Sequence, residues 1–358
     1  MQTPSLHPFS LKHSPNFPEL LFRLNASIGI TTYQAGKLVF LSAKDENQLI
    51  QLPRTFSKPM GFCYDSKTHK MALACKDEII TFAGSASLAA HYPKSPGVYD
   101  MMFFPRLTYH TNALDIHDLH YGENGKLFAV NTLFSCIVTF DDNHNFTPYW
   151  TPPQIDQLAS EDRCHLNGMA MENGLPRYAS AFNQGNTPQS WREKITQTGV
   201  IYDVQTNEVI VDNLPMPHSP KLINGELYVL LSATGEVAKI DVEKGSYEVV
   251  SKPGGFLRGM SVIDDYLFVA HSKLRKNSST FAQLPISDEA QTCGIVAIHL
   301  PSKSVVANLF YEMSVDEIYD IHLFHGIKRP NILNTLTDTY QQALSIPGAT
   351  YWSKPKQS

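Results

Sequence analysis

The sequence lacks the features that mark several large classes of protein. Lys and Arg total 29 against 34 Asp and Glu, without a basic cluster, which argues against a nucleic-acid partner because phosphate binding needs a local excess of positive charge. No apolar run reaches the ~20 residues of a membrane-spanning helix. Residues 1–17 have neither the charged nor the apolar segment of an export signal. We therefore expect a cytoplasmic protein that binds neither nucleic acid nor membrane.

Cysteine is scarce and carries no recognisable motif. Without a C-x-x-C pair, the cysteines predict reduced, buried thiols rather than a disulfide framework or a cysteine zinc site. Nucleophile-elbow, P-loop and dinucleotide motifs are also missing. The five cysteines are Cys63, Cys75, Cys136, Cys164 and Cys293.

Charged residues, at 18%, are fewer than usual, whereas the 20 Gly and 23 Pro favour many turns over long helices. This balance is typical of an all-β chain. Six times, at intervals of roughly 40 to 60 residues, a bulky or functional side chain is followed by a small or acidic one, and such intervals are typical of propeller blades. The six pairs are Met60-Gly61, His117-Asp118, Asn167-Gly168, His218-Ser219, Arg258-Gly259 and Tyr319-Asp320.

Each pair is predicted to begin the first strand, A, of a blade whose strands A to D form a meander. The unit from His218 is compact, and its Asn224-Gly225 turn between alternating apolar runs is a strong hairpin signal. Residues 27–33, 37–43 and 48–56 resemble strands B, C and D without a strand A, and residues 319–324 resemble a strand A without partners. Joining them closes the ring and removes exposed sheet edges.

The sequence thus predicts an all-β, six-bladed β-propeller closed by both termini. Seven blades remain an alternative, in which segment 92–112 or 325–345 supplies further strands. We expect an extension at residues 1–24, one propeller domain at 25–336 and a surface tail at 337–358. Segment 99–105 is interpreted as a lid, a partner interface or packing between blades.

Side chains at the start of strand A and the end of strand B are expected to share one mouth of the central channel. Residues 184–198 and 273–292 fall between strands B and C and would cover that mouth as lids. We call the first residues of the six pairs the axial ring: Met60, His117, Asn167, His218, Arg258 and Tyr319. Further candidate ligand-binding residues near that mouth are Gln34, Asp115, Asn131, Asn183, Trp191, Arg192 and His271.

Three chemistries suit these residues. His117, His165 and His218 come from consecutive blades and would share one divalent metal ion: zinc, manganese, iron or calcium. Alternatively, a neutral histidine abstracts a proton, Tyr319 donates one, Arg258 neutralises a carboxylate or enolate, and Glu317 is an auxiliary acid or base. In the third, the channel only recognises a small anion or a peptide end.

His120 is treated separately from His117. Side chains alternate along a strand, so residues 117 and 120 should lie on opposite faces. We therefore expect His120 to be hydrogen-bonded between blades and to take no part in the site.

Several phrases resemble those of a family of uncharacterised bacterial proteins. More loosely, the architecture is similar to the gluconolactonase and strictosidine-synthase group of six-bladed propellers, which implies a metal-dependent hydrolase. In that group calcium is held by Glu, Asn and Asp oxygens, whereas here only Asn167 matches and His117 and His218 favour a transition metal, as in metal-dependent propeller lyases. The phrases are TTYQAGK at 31–37, DIHD at 115–118, VNTLFSC at 130–136, EDRCHLNG at 161–168 and PHSP at 217–220.

Together these observations predict an enzyme that acts on a small anionic substrate by lyase, isomerase or hydrolase chemistry, with His117 and His218 central. The alternative is a non-catalytic propeller that binds a ligand or a partner protein.

Overall fold

Six β-sheets surround a common axis in the computed structural model, which describes residues 7–274, 281 and 283–353. Strands A of neighbouring sheets contact one another, so they form the wall of a central channel and strands D lie outermost. The protein is therefore a six-bladed β-propeller, as the sequence predicted. The seven-bladed alternative is wrong, because the two extra segments add outer strands to existing blades.

Blades 3, 4 and 5 are consecutive four-stranded meanders. Blade 3 contains, from the axis outward, Ile116–Tyr121, Leu127–Asn131, Cys136–Thr139 and Thr147–Trp150. Blade 4 contains Leu166–Glu172, Leu175–Ala181, Gly199–Asp203 and Val209–Leu214. Blade 5 contains Pro217–Ile223, Glu226–Leu231, Glu236–Asp241 and Ser246–Ser251.

Blade 1 is assembled from both ends of the chain. Its strand A pairs antiparallel with strand B from Ala26 opposite His325 to Thr31 opposite Asp320. This is the closure that the sequence predicted, and it leaves no gap in the wall of the channel. The strands, from the axis outward, are Asp320–His325, Ala26–Thr32, Lys37–Ala43 and Leu49–Thr55.

Blades 2 and 6 each carry a fifth strand on the outer edge. Pro330–Ile332 runs parallel to strand D of blade 2, and Leu11–His13 runs antiparallel to strand D of blade 6. Covering an outer strand protects its free backbone groups. Blade 2 contains Phe62–Asp65, Lys70–Ala74, Glu78–Ser85 and Met101–His110, and blade 6 contains Phe256–Ile263, Tyr266–Ser272, Cys293–His299 and Ser304–Tyr311.

Segment 99–105 enters strand D of blade 2, and Met101, Met102, Phe103 and Phe104 are buried. Of the three roles considered for it, packing inside the fold is the one observed. A lid over the channel or an exposed partner interface does not fit these buried side chains.

Helices are short and peripheral. The α-helices are Asn16–Arg23 and Ala86–Ala90, and the 3-10 turns are Glu123–Gly125, Ser190–Arg192 and Asp338–Gln342. A hairpin, Ala343–Ile346 with Ala349–Trp352, follows the last turn, and Trp352 donates to the carbonyl of Leu88 at 2.9 Å. At 8 residues, Asn16–Arg23 is the longest described α-helix, and none of those described meets the length and hydropathy of a membrane crossing.

Apolar side chains fill the spaces between adjacent blades. Between blades 1 and 2, Phe40 contacts Phe324 edge-to-face at 5.4 Å and packs near Phe103. Similar apolar clusters lie between the two blades of each of the five remaining neighbouring pairs. All five cysteines are unpaired and buried in this interior, as predicted.

Candidate functional site

The axial ring lies on a cavity of about 760 Å³ that occupies the central channel. Five of the six ring residues line it, and Met60 does not. All five are more than nine-tenths buried: His117 is 9% exposed, Asn167 4%, His218 4%, Arg258 8% and Tyr319 8%. The structure therefore brings together the residues to which the sequence assigned the central roles.

The tautomer of His117 follows from its neighbours. Its Nδ1 lies 2.7 Å from the hydroxyl of Thr132 and 3.0 Å from the carbonyl of Asp115. The Thr132 hydroxyl donates its only proton to the carbonyl of Leu166, 2.5 Å away, and so accepts from His117. Nδ1 therefore carries the proton, and Nε2 keeps a basic lone pair.

His218 is held in the same way. Its Nδ1 lies 2.7 Å from the hydroxyl of Ser232, which donates to the carbonyl of Leu257 at 2.6 Å. The carbonyl of Met216 lies 3.3 Å from the same nitrogen. The Nε2 atom is buried and has no hydrogen-bond partner among the described residues.

Both imidazoles are neutral near pH 7. Burial lowers the pKa of His117 to about 4, and the nearby Asp115 carboxylate acts in the opposite direction. Burial and the nearby Arg258 charge lower the pKa of His218 well below its usual value. Two uncharged imidazoles with fixed Nδ1 protons thus border the same cavity.

Arg258 supplies positive charge beside Tyr319. Its Nη1 lies 3.2 Å from Oε1 of Glu317, and the guanidinium stacks over the Tyr319 ring at 4.7 Å. Its Nε and the Tyr319 hydroxyl are both buried, and neither has a hydrogen-bond partner within the part of the chain that the structure describes. Burial raises the pKa of Tyr319 well above its usual value, so the phenol keeps its proton near neutral pH.

Asn167 completes the polar wall. Its Oδ1 accepts a hydrogen bond of 2.6 Å from the Ser180 hydroxyl. Its Nδ2 is buried and has no hydrogen-bond partner among the residues that the structure describes. Buried polar groups are normally paired, so several unpaired ones on one cavity wall are typical of a ligand site.

His165 is not part of this wall. Its Nδ1 lies 3.0 Å from Asp162, and its ring is packed between Phe182 and Trp191. Among the described residues, no group of three His, Cys, Asp or Glu side chains is placed to hold a metal ion. The donors therefore do not fit the three-histidine metal site.

The roof and the mouth of the channel lie on opposite faces. Segment 184–198 covers the predicted mouth with Trp191, whose Nε1 donates to Asp162 at 3.0 Å, and with Ile195. Leu284 and Ile286 from the second predicted lid join the same apolar cluster. Residues 275–280 and 282 of that lid lie outside the described residues. The cavity instead continues to exposed A–B turns of blades 2, 3 and 4, which the sequence analysis did not expect.

The remaining candidates lie away from the cavity wall. Gln34, Asp115 and Arg192 are exposed, the last stacked on Trp191 at 4.2 Å. The other three candidates are buried polar groups bonded to nearby loops: Asn131 accepts from Phe134, Asn183 donates to Ser190, and His271 lies 3.2 Å from the Thr292 carbonyl.

Sequence reasoning missed two deeper layers of polar residues on the same cavity. The second layer is Asp118, Ser219 and Asp320, each directly after an axial-ring residue of an odd-numbered blade. The third layer is His120, Lys221 and His322.

The second layer joins neighbouring blades. Asp118 accepts from the amide of Met169, Ser219 from Gly259, and Asp320 from Phe62. In the even-numbered blades glycine occupies this position, because a Cβ on Gly61 would lie 2.7 Å from the His117 carbonyl. The signal was present in the sequence: acid or serine alternates with glycine, and His117, His218 and Tyr319 follow one another at equal intervals.

His120 lines the cavity together with His117, contrary to expectation. The cause is a β-bulge: Val130 pairs with Asp118 and Asn131 pairs with Ile116, which leaves His117 without an opposite residue. One extra residue reverses the alternation beyond it.

These observations can be set beside known proteins. The model of a family described as Domain of unknown function (DUF4915) matches residues 15–333. The chain belongs to the DUF4915 family. No curated protein sequence matches this DUF4915 chain. It is similar in structure to a propeller chain in the crystal structure of a nidogen/laminin complex, with 9% identity and a TM-score of 0.55 over 84% of this chain and 99% of that chain. At this identity the likeness shows the fold alone.

Family membership supports the resemblance to an uncharacterised propeller family. The looser likeness of this DUF4915 chain to gluconolactonase-type enzymes stays a prediction.

Proposed function

We propose that the axial ring binds the carboxylate of a small organic acid and that His117 or His218 removes a proton from the adjacent carbon. The observation that carries this proposal is the pair of hydroxyl-fixed imidazoles, which line one cavity and carry the proton on Nδ1, so that each Nε2 keeps its lone pair. An acid–base site needs such a pair beside hydrogen-bond donors for the developing negative charge.

Three donors that have no hydrogen-bond partner in residues 7–274, 281 and 283–353 suit a carboxylate: Nε of Arg258, Nδ2 of Asn167 and the hydroxyl of Tyr319. Because all are buried, a ligand oxygen that accepts from them meets little competition from water. Charge-assisted bonds of this kind contribute about 1.5–3 kcal/mol each. The Arg258–Glu317 pair holds the guanidinium in place before the ligand arrives.

The proposed reaction returns the histidine and Tyr319 to their starting protonation states. The imidazole Nε2 takes the proton from the carbon beside the carboxylate, and the C–H electron pair moves into an enediolate that Arg258 and Asn167 stabilise. The electrons then expel a hydroxyl group on the next carbon, which leaves as water with the proton of Tyr319. The imidazolium then returns its proton to the Tyr319 phenolate. The ring centroids of His117 and Tyr319 lie 5.4 Å apart.

Binding is tested by calorimetric titration of purified protein with acetate, lactate and malate. Arg258→Met should weaken the binding of each acid at least tenfold, because it removes the cation and one donor. Arg23→Met, on the surface of the first helix, is the matched control. The double variant Arg258→Met with Glu317→Gln removes both charges of this ion pair and should behave like the single variant. Equal affinity in wild type and Arg258→Met would overturn the proposal.

Catalysis is tested by NMR of deuterium uptake from heavy water at the carbon beside the carboxylate. We expect the base to be the histidine whose variant, His117→Gln or His218→Gln, exchanges more slowly. The exchange rate of that variant should be lower than that of wild type by on the order of 100-fold or more. Tyr319→Phe should retain exchange but lose elimination. Arg258-dependent binding without any exchange would instead support the non-catalytic alternative, a ligand-binding propeller.

A further inference from the structure

A lysine side chain lies within the channel. Lys221 is on strand A of blade 5, three residues after His218, and it lines the same cavity as the axial ring. Lys67 and Lys70 also border this cavity, but both are exposed where strand A of blade 2 turns into strand B. Of the described lysines on the cavity, Lys221 alone is partly buried.

A β-bulge directs Lys221 to the cavity. On strand B of blade 5, Leu230 pairs with His218. Tyr228 pairs with Lys221, so two residues of strand A, 219–220, face a single residue of strand B. Because the extra residue reverses the alternation beyond it, His218 and Lys221 both lie on the channel side of their strand.

The surroundings of Lys221 are polar but do not bond to it. His120 and His322 occupy its position in blades 3 and 1, and burial lowers the pKa of His322 to about 3, so that ring is neutral. No ion pair or side-chain hydrogen bond joins Lys221 to a described residue, although Asp118 and Asp320 attract its charge. Burial outweighs this attraction and lowers the pKa of Lys221. The uncharged amine, which is the nucleophilic form, is therefore more abundant here than at an exposed lysine.

The two carboxyl groups near Lys221 differ from each other. Burial and the charge of Asp118 raise the pKa of Asp320 to about 7, so near neutral pH this group can both give and take a proton. Burial also favours the neutral form of Asp118, but His120 at 3.3 Å and the amide of Met169 outweigh burial and lower its pKa. One carboxyl group suits proton transfer, and the other remains a fixed negative charge.

We propose that Lys221 forms an imine with an aldehyde or ketone that enters the cavity, and that Asp320 carries the protons of this step. The proposal goes beyond the acid–base reaction at the axial ring, because it assigns a nucleophile and needs no carboxylate on the ligand. It rests on a cavity that holds an amine and a proton-carrying carboxyl group together.

The step begins with the amine and with Asp320 in its protonated form. The Nζ lone pair of Lys221 bonds to the carbonyl carbon, and the carbonyl oxygen takes the proton of Asp320. The nitrogen then returns a proton to Asp320. The new hydroxyl group leaves as water with that proton, and the nitrogen lone pair forms the C=N bond. The product is a cationic iminium beside two carboxylates, which stabilise the charge that has developed on nitrogen.

The test is reductive trapping with acetone and, separately, pyruvate. Sodium cyanoborohydride reduces an imine to a stable secondary amine, and peptide mass spectrometry then identifies the modified lysine. At pH 7 we expect acetone to modify Lys221 at least about tenfold faster than the exposed Lys70, because a neighbouring acid catalyses the loss of water. Modification of Lys221 no faster than that of Lys70 would overturn the proposal.

Variants separate the roles of the two groups. Asp320→Asn should slow the modification of Lys221 at least about tenfold and leave that of Lys70 unchanged. An unchanged rate at Lys221 would remove Asp320 from the step. Lys221→Arg keeps the positive charge but cannot form an imine, so carbon-13 NMR with carbonyl-labelled acetone should show the imine signal in wild type and in Lys70→Met but not in Lys221→Arg. A signal that persists in Lys221→Arg contradicts the assignment even where Asp320→Asn fails to fold.

Pyruvate distinguishes this inference from the proposed function. If the axial ring binds carboxylates, Arg258→Met should slow the modification of Lys221 by pyruvate and not by acetone. Rapid modification by both ketones that ignores Arg258→Met supports the imine and counts against the carboxylate site. Carboxylate binding that depends on Arg258, without preferential modification of Lys221, overturns the imine alone.

Discussion

The hydroxyl of Ser232 accepts the Nδ1 proton of His218 and donates its own proton to the backbone of the next blade, at Leu257. Thr132 makes the equivalent pair of bonds between His117 and Leu166. One hydroxyl therefore sets the tautomer of a ring histidine and joins two blades. The chemistry of the axis and the cohesion of the propeller depend on the same atom.

Ser232→Ala should release the His218 ring. The Nδ1 proton would then have only the Met216 carbonyl at 3.3 Å, so the two tautomers should interconvert. The lost hydrogen bonds should cost about 1–2 kcal/mol in the free energy of unfolding. Nitrogen-15 NMR of the imidazoles reports the tautomer, and Ser232→Thr, which keeps the hydroxyl, should leave it unchanged. A single fixed tautomer in Ser232→Ala would contradict the assignment.

Acid should destabilise the protein. Burial lowers the pKa of His271 to about 4, whereas an unfolded histidine titrates near 6.5. As the pH falls from about 6.5 to 4, the unfolded chain binds a proton that the folded one does not, so the free energy of unfolding falls, by on the order of 1–3 kcal/mol per such histidine. The same holds for His117 and His322, while Asp320, with its raised pKa, acts in the opposite direction between about pH 7 and 4.

Urea unfolding at pH 7.5, 6 and 5 measures this dependence. His271→Gln should reduce the loss of stability on acidification, and His325→Gln, at an exposed position, should not. A stability that rises steadily from pH 7.5 to 5 would show that the histidines do not dominate.

Gly259→Ala should be strongly destabilising. Gly259 has φ of 71° and a Cβ there would lie 2.9 Å from the Cα of Asp320. The left-handed conformation costs about 1–2 kcal/mol for alanine, and overpacking adds about 1–3 kcal/mol. Gly225→Ala is the control, because its φ is 81° but nothing lies within 4 Å of the added atom. Equal melting temperatures for the two variants would refute the role of close blade contact.

The tail should be removable, whereas the closing strand should not. A chain ending at Leu336 keeps all six blades and loses the contact of Trp352 with Tyr92, at 5.5 Å between ring centroids, so it should fold with a melting temperature a few degrees lower. A chain ending at Ile318 lacks strand A of blade 1 and should aggregate. Circular dichroism and gel filtration distinguish the two. Failure of the longer chain to fold would place the domain boundary beyond residue 336.

The sequence identified blades and axial residues because these depend on local signals. Turns such as Asn224-Gly225 mark hairpins, and the repeated pairs mark strand A. The strand Pro330–Ile332 could not be predicted, since its only partner lies far away in the chain at Met101–His110. His120 was misplaced because alternation assumes a regular strand, and the bulge at His117 depends on the opposing strand.

The sequence also could not predict which end of the channel is open and which is closed. Which face is closed depends on how Trp191 and Ile195 pack against loops from other blades, and short-range patterns carry no information on such contacts. The sequence shows the alternation of acid or serine with glycine after the axial ring. It does not show that glycine is required there because neighbouring blades come close together.

Ring closure also orders events during synthesis. Strand A of blade 1 is synthesised after the other five blades, and it brings Tyr319 and Asp320 to residues made hundreds of positions earlier. Such long-range pairing forms late in folding. Until then the channel lacks one wall, so a nascent or truncated chain cannot hold a ligand on the axis. A closed channel therefore exists only once the chain extends through strand A of blade 1.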